Sequence, residues 1–129
     1  MVKVQGPKHV LSVSYNESLL HTRELLLRSR GYKVTSGLGF TNAVAACKAA
    51  RFDLFILGHS IPRTDKAELI RTFRKYCPAP VVSLLRPDET LEDEADGHVS
   101  PHDPKALLDR IDEILEDRAD AVSGSESSD

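Results

Sequence analysis

A chain of 129 residues with 40% apolar and 29% charged residues suits one compact, water-facing domain. It has no apolar run near the ~20 residues of a membrane span, and its first residues lack the core of a secretory signal, so a cytoplasmic location is expected. The net charge of −3 is uneven: residues 1–86 hold 14 Lys+Arg against 5 Asp+Glu, and residues 87–129 hold 3 against 15. Such polarity either steers a partner or a second copy, or reflects solvated faces that happen to segregate.

Val10-Leu11-Ser12-Val13 follows a Gly-Pro turn signal and reads as a first strand. Asn16 can cap the helix after it, where Leu19, Leu20, Leu26 and Leu27 recur at helical spacing. Gly31 stands where a helix-ending glycine belongs. Tyr32 to Ser36 alternates as a second strand, and Gly37-Leu38-Gly39 reads as a loop. Thr41 is expected to cap a short helix carrying Ala43, Val44, Ala46 and Cys47. Phe52 to Leu57 is nearly all apolar, as a buried central strand should be.

Asp65 and Glu68 have capping-box spacing and are expected to open a helix with Leu69, Ile70, Phe73 and Tyr76 on its apolar side. Pro78 and Pro80 end it, and Val81 to Leu85 is the fourth strand. Residues 87–95 read as a short acidic helix with Leu91 its only large apolar residue. Gly97 to Ser100 is a short fifth strand. Asp103-Pro104 opens a last helix with Leu107, Leu108, Ile111, Ile114 and Leu115 on one face. Residues 118–129 are rich in serine and acid and are expected to be a disordered tail, leaving a domain over 8–117. Five alternations of strand and helix imply an α/β fold, a doubly wound five-stranded parallel sheet of flavodoxin-like order. The functional surface of such a sheet lies at its C-terminal strand ends.

The order and spacing of Val10–Val13, Gly31-Tyr32-Lys33-Val34, Phe52 to Pro62, Pro80 to Leu85 and Ala95 to Pro104 resemble the receiver domain of response regulators. In that family an acidic pair after the first strand binds Mg²⁺, and an aspartate ending the third strand takes a phosphoryl group. A hydroxyl after the fourth strand and a lysine after the fifth stabilise that group. The resemblance places these functions on Ser14 and Tyr15, Gly58, Leu85 and Ser100, none of which keeps the required group. It therefore implies a pseudo-receiver in phosphorelay (two-component) signal transduction, acting by protein–protein interaction. With no output domain in this chain, output would pass through another signalling protein or a second copy of the chain. No enzyme activity, cofactor or metal is expected. The family's association face would carry Leu91, Glu92, Ala95, Lys105 and Leu108. The alternatives are a response regulator using a non-standard acceptor, with Asp65 and Ser60 the nearest substitutes, and a small-ligand or metal-binding module at the vacated site.

Other candidates fare less well. His59, His98 and His102 fall near the strand ends, but Pro101 interrupts the last two and surface histidines account for them. Ser14, Tyr15 and Ser60 near His59 lack a nucleophile-elbow pattern and an orienting carboxylate. Arg63, Lys66, Arg71, Arg74 and Lys75 form a basic stretch that reads as a solvated helix face rather than a nucleic-acid site, since few aromatics accompany it. Cys47 and Cys77 are expected to be reduced.

Overall fold

The strands and helices follow from two periodicities, with strand residues alternating between sheet faces and helix residues returning every third or fourth position. The computed structural model describes residues 7–85 and 95–127, with side chains as far as 116. In chain order the elements are β1 (His9–Ser14), α1 (Glu17–Ser29), β2 (Lys33–Leu38), α2 (Phe40–Ala49), β3 (Leu54–Leu57), α3 (Arg63–Tyr76), β4 (Val81–Leu84), β5 (Gly97–Val99) and α4 (Pro104–Ser127). The strands form one sheet in the order β2-β1-β3-β4-β5, every pair parallel. This is the expected doubly wound arrangement.

Alternation along the strands sorts the core into two layers. Leu11 and Val13 of β1 and Phe55 and Leu57 of β3 pack with Ala43 and Cys47 of α2 and with Leu69, Ile70 and Phe73 of α3. Phe55 and Phe73 stack, with ring centroids 4.3 Å apart. Val10, Leu54, Ile56, Val82 and Leu84 face the other way, onto Leu27 of α1 and Leu107, Leu108, Ile111 and Leu115 of α4. β3 is fully buried on both faces, which explains its unbroken apolar run.

Two expected caps hold. Asn16 Oδ1 accepts from Leu19 N at 3.0 Å, and Asp103 Oδ1 accepts from Ala106 N at 3.0 Å. Gly31 takes φ +92° just past α1, a conformation costly for a side chain.

Several boundaries differ from the sequence reading. β2 runs on through Gly37 and Leu38, because β1 offers pairing partners as far as Ser14. The cap of α2 is Gly39, at φ +87°, rather than Thr41. α3 begins at Arg63 after Pro62, so Asp65 sits inside its first turn instead of capping it. Tyr76 is 48% exposed, with Lys48 Nζ 5.2 Å and Lys75 Nζ 5.8 Å from its ring centroid. The backbone of α4 is helical to Ser127, through most of the stretch expected to be a disordered tail. No proline interrupts that stretch, and Ala119 and Ala121 favour helix. The acidic helix expected at 87–95 lies outside the described residues, apart from Ala95.

Candidate functional site at the strand ends

The chain reverses its winding at β1, so the loops after β1 and β3 leave the sheet side by side and open a crevice at their C-terminal ends. Ser14 ends β1 fully buried. Its Oγ donates to Asn16 O (3.1 Å) and accepts from Asn16 N (3.0 Å), and it lies 3.1 Å from Ser60 Oγ in the loop after β3. Tyr15 N donates to Ser60 Oγ at 3.0 Å, and Tyr15 Oη donates to Asp65 Oδ2 of α3 at 2.8 Å. Burial first, and then the Asp65 carboxylate, push the Tyr15 phenol well above its ordinary range. A chain of neutral hydroxyls thus bridges the two loops.

Gly58 follows β3, and its N–H donates to Val13 O at 2.9 Å. A Cβ built there would lie 2.9 Å from Arg23 Nη2 and 3.2 Å from Val13 O. Arg23 comes from α1 and is 6% exposed. Its Nη1 donates to Ser12 Oγ (3.1 Å) and Val13 O (3.2 Å). Burial pulls its pKa down to about 10, which leaves it cationic at neutral pH. A guanidinium therefore occupies the space beside the strand end where the resemblance expects an acidic side chain.

A second cation mirrors it on the opposite sheet face. Lys66 of α3 is 2% exposed, and its Nζ donates to Ser83 Oγ and Leu84 O of β4, both at 2.9 Å. This corrects its assignment to a solvated basic face. Strand serines with no exposure, Ser12 and Ser83, supply an acceptor to one cation each.

Both cations were missed in the sequence, yet a signal exists. Arg23 shares a helical stripe with Leu20 and Leu27, and Lys66 shares one with Leu69, Ile70 and Phe73. A cation on an apolar stripe must either reach solvent or find acceptors inside.

Leu85 is 9% exposed, and its N–H donates to Val99 O at 3.0 Å, which places it beside β5. Ser100 is exposed and accepts from His102 N through Oγ at 3.2 Å. Ser14, Tyr15 and Gly58 meet around Ser60 and Val13, while Ser100 lies across a separate small cavity shared with Arg23, His59 and Leu84. His59 and His102 have ring centroids 6.5 Å apart. Among the described residues no three His, Cys, Asp or Glu side chains are grouped so as to hold a metal.

The expected association face is only partly visible. Lys105 is exposed and bonds to Asp109 at 2.7 Å, and Ala95 is half-buried against the core. Leu108 is 7% exposed within the α1/α4 core, because its helical position turns it toward the sheet, so it offers no contact surface. Leu91 and Glu92 lie outside the described residues. Cys47 and Cys77 are free and buried.

A receiver domain protein from Methanospirillum hungatei, described as CheY-like, superposes with TM-score 0.79 at 22% identity, over 90% of this chain and 99% of its own. The chain has the CheY-like receiver fold. CheY4 of Vibrio cholerae matches at TM-score 0.72 and 24% identity, over 84% of this chain and 99% of its own. The receiver domain of sensor histidine kinase PA1611 from Pseudomonas aeruginosa, solved with magnesium in its active-site cleft, matches at TM-score 0.73 and 21% identity, over 86% and 99%. In sequence, protein PetR of Rhodobacter capsulatus is 31% identical over 125 residues, 92% of this chain. The chain spans about half of PetR's length, 53%. No family model matches. No helix among the described residues is long and apolar enough to cross a membrane.

A divalent cation on this receiver fold would need hard oxygen ligands, chiefly carboxylates. Ser14, Tyr15 and Gly58 carry no carboxylate, the Asp65 carboxylate is bonded to Tyr15 Oη, and the Arg23 guanidinium lies against Gly58. The residues present do not fit Mg²⁺.

Proposed function

We propose that this chain is a cytoplasmic receiver-like component of two-component signalling that works without phosphoryl transfer, as a protein-binding pseudo-receiver rather than an enzyme. One observation carries the reading: the Arg23 guanidinium lies where a carboxylate on Gly58 would stand. An aspartyl phosphate needs a nucleophile, a metal and a hydroxyl in one place. Here those positions hold a glycine, a seryl–tyrosyl network and Leu85. The receiver fold of the relatives, together with a hydrogen-bonded crevice in place of acids, supports a surface retained for docking. The exposed Lys105 end of α4 belongs to that surface, and the acidic residues of the sequence before it, Glu92 among them, are expected to draw a basic partner.

The test is an amide-resolved NMR titration with Mg²⁺ and beryllofluoride, run beside acetyl-phosphate labelling read by intact mass. The expected result is no saturable shift at Ser14, Gly58, Leu85 or Ser100 and no added phosphoryl mass. A labelled protein with the modification mapped to Asp65 or Ser60 would replace this reading with a response regulator using a non-standard acceptor. Both of those side chains are already engaged, Asp65 by Tyr15 and Ser60 by Ser14 and Tyr15.

A further inference from the structure

A cavity of about 100 Å³ opens between α1 and α4 at the C-terminal edge of the sheet. Most of its wall is apolar, with Leu19 and Leu26 of α1, Leu84 at the end of β4, and Pro101 and Leu107 beside it. Arg23 is also part of the wall. The Arg23 side chain is 6% exposed. It commits only Nη1, to Ser12 Oγ and Val13 O. Among the described residues Nη2 and Nε form no hydrogen bond, neither atom is fully sealed from solvent, and no carboxylate pairs with the group. Burying a cation without an anion is costly, and a planar fork with spare donors matches the two oxygens of a carboxylate.

We propose that this cavity is a binding site for a small organic monocarboxylate, with Arg23 as its anion receptor. The lining selects the ligand class. An apolar wall favours a hydrocarbon tail over a fully hydrated ion. Asp103 also lines the cavity, with Oδ1 held by Ala106 N, and its charge counts more against a dianion such as phosphate than against a monoanion. The volume is below the ~150 Å³ of a cavity that holds benzene, so the tail is short and aliphatic. Ser100 and His59 at the same cavity offer polar contacts near the carboxylate end. The site stands on Arg23 and the cavity alone and does not depend on whether the strand ends accept phosphate.

Sodium butyrate is the probe, followed by amide shifts and by the thermal midpoint, with inorganic phosphate and benzoate as comparison arms. Butyrate should shift Arg23, Leu84, Ser100 and Leu107 saturably and raise the midpoint, while phosphate and benzoate do neither. Arg23→Met keeps the bulk and removes the charge, a change that buried sites often tolerate. It should weaken butyrate binding by at least about tenfold, the scale of one charge-assisted hydrogen bond. Leu107→Phe narrows the cavity with Arg23 intact and should weaken binding as well, so the test survives if Arg23→Met folds poorly. Absent shifts, equal binding by both variants and the parent, or phosphate binding as tightly as butyrate would each overturn the assignment.

Discussion

At the scale of single residues, the two buried cations set the terms for every substitution at the strand ends. Gly58→Asp would return a carboxylate to the end of β3, but the nearest group is the Arg23 guanidinium. The expected outcome is an internal ion pair: no phosphoryl label from acetyl phosphate, and a urea midpoint above that of Gly58→Ala, which adds the same Cβ without the charge. Gly58→Ala adds only a Cβ, 2.9 Å from Arg23 Nη2 and 3.2 Å from Val13 O. It should cost about 1 kcal/mol, and less in an Arg23→Met background, because the arginine end is what must move. Ser12→Ala and Ser83→Ala each remove one acceptor from a buried cation. Each should cost about 1–3 kcal/mol by urea unfolding, more than a surface serine would. A loss under about 0.5 kcal/mol would mean that neither serine helps hold its cation.

At the scale of elements, the sheet order and both core layers were legible because they rest on local periodicity. Phe52 to Leu57 could hardly be anything but an inner strand, and Asn16 and Asp103 announced their helices. Several of the misread positions share a cause, since each is settled by a distant partner. Asp65 looks like part of a capping box, yet its carboxylate accepts from Tyr15, fifty positions away in sequence. Gly37 and Leu38 look like a loop until β1 is placed beside them. Lys66 looks like surface until Ser83 is found beneath it. The substituted positions Ser14, Gly58 and Leu85 were legible through the family resemblance, but the guanidinium beside Gly58 was not. Two tyrosines tie elements together in this non-local way, Tyr15 to α3 through Asp65 and Tyr32 to α4 through Asp112. Burial, reinforced by those carboxylates, raises both phenol pKa values in the folded chain. Below the unfolded value of about 10 both states are protonated and the stabilisation is complete. Above it the unfolded chain ionises first, and stability is lost as pH rises toward the folded values. Between about pH 9 and pH 11 the urea midpoint should fall more steeply for the parent than for Tyr15→Phe/Tyr32→Phe. Equal slopes would mean that the phenols do not carry the effect.

At the scale of the molecule, the lopsided charge is partly used inside the chain. Arg30, at the end of α1, reaches Asp112 and lies 3.6 Å from Asp109 of α4, and Arg74 of α3 lies 3.3 Å from Asp96 before β5. These bonds carry basic residues of the first part of the sequence onto acids of the second, so segregation along the sequence is partly folding complementarity. They are too few to neutralise 15 acidic residues against 3 basic ones after residue 86. The remaining field favours a positively charged surface, and the basic first part of a second copy is one such surface. Attraction of this kind is screened as the Debye length falls from about 30 Å at 0.01 M salt to about 3 Å at 1 M. Sedimentation velocity over a concentration series is therefore expected to show the weight-average mass rising at low salt and staying at the monomer value at high salt. A monomer at every concentration in low salt would remove self-association and leave a separate basic protein as the partner. A dimer indifferent to salt would instead point to an apolar contact, for which exposed Leu25 on α1 is the first side chain to change.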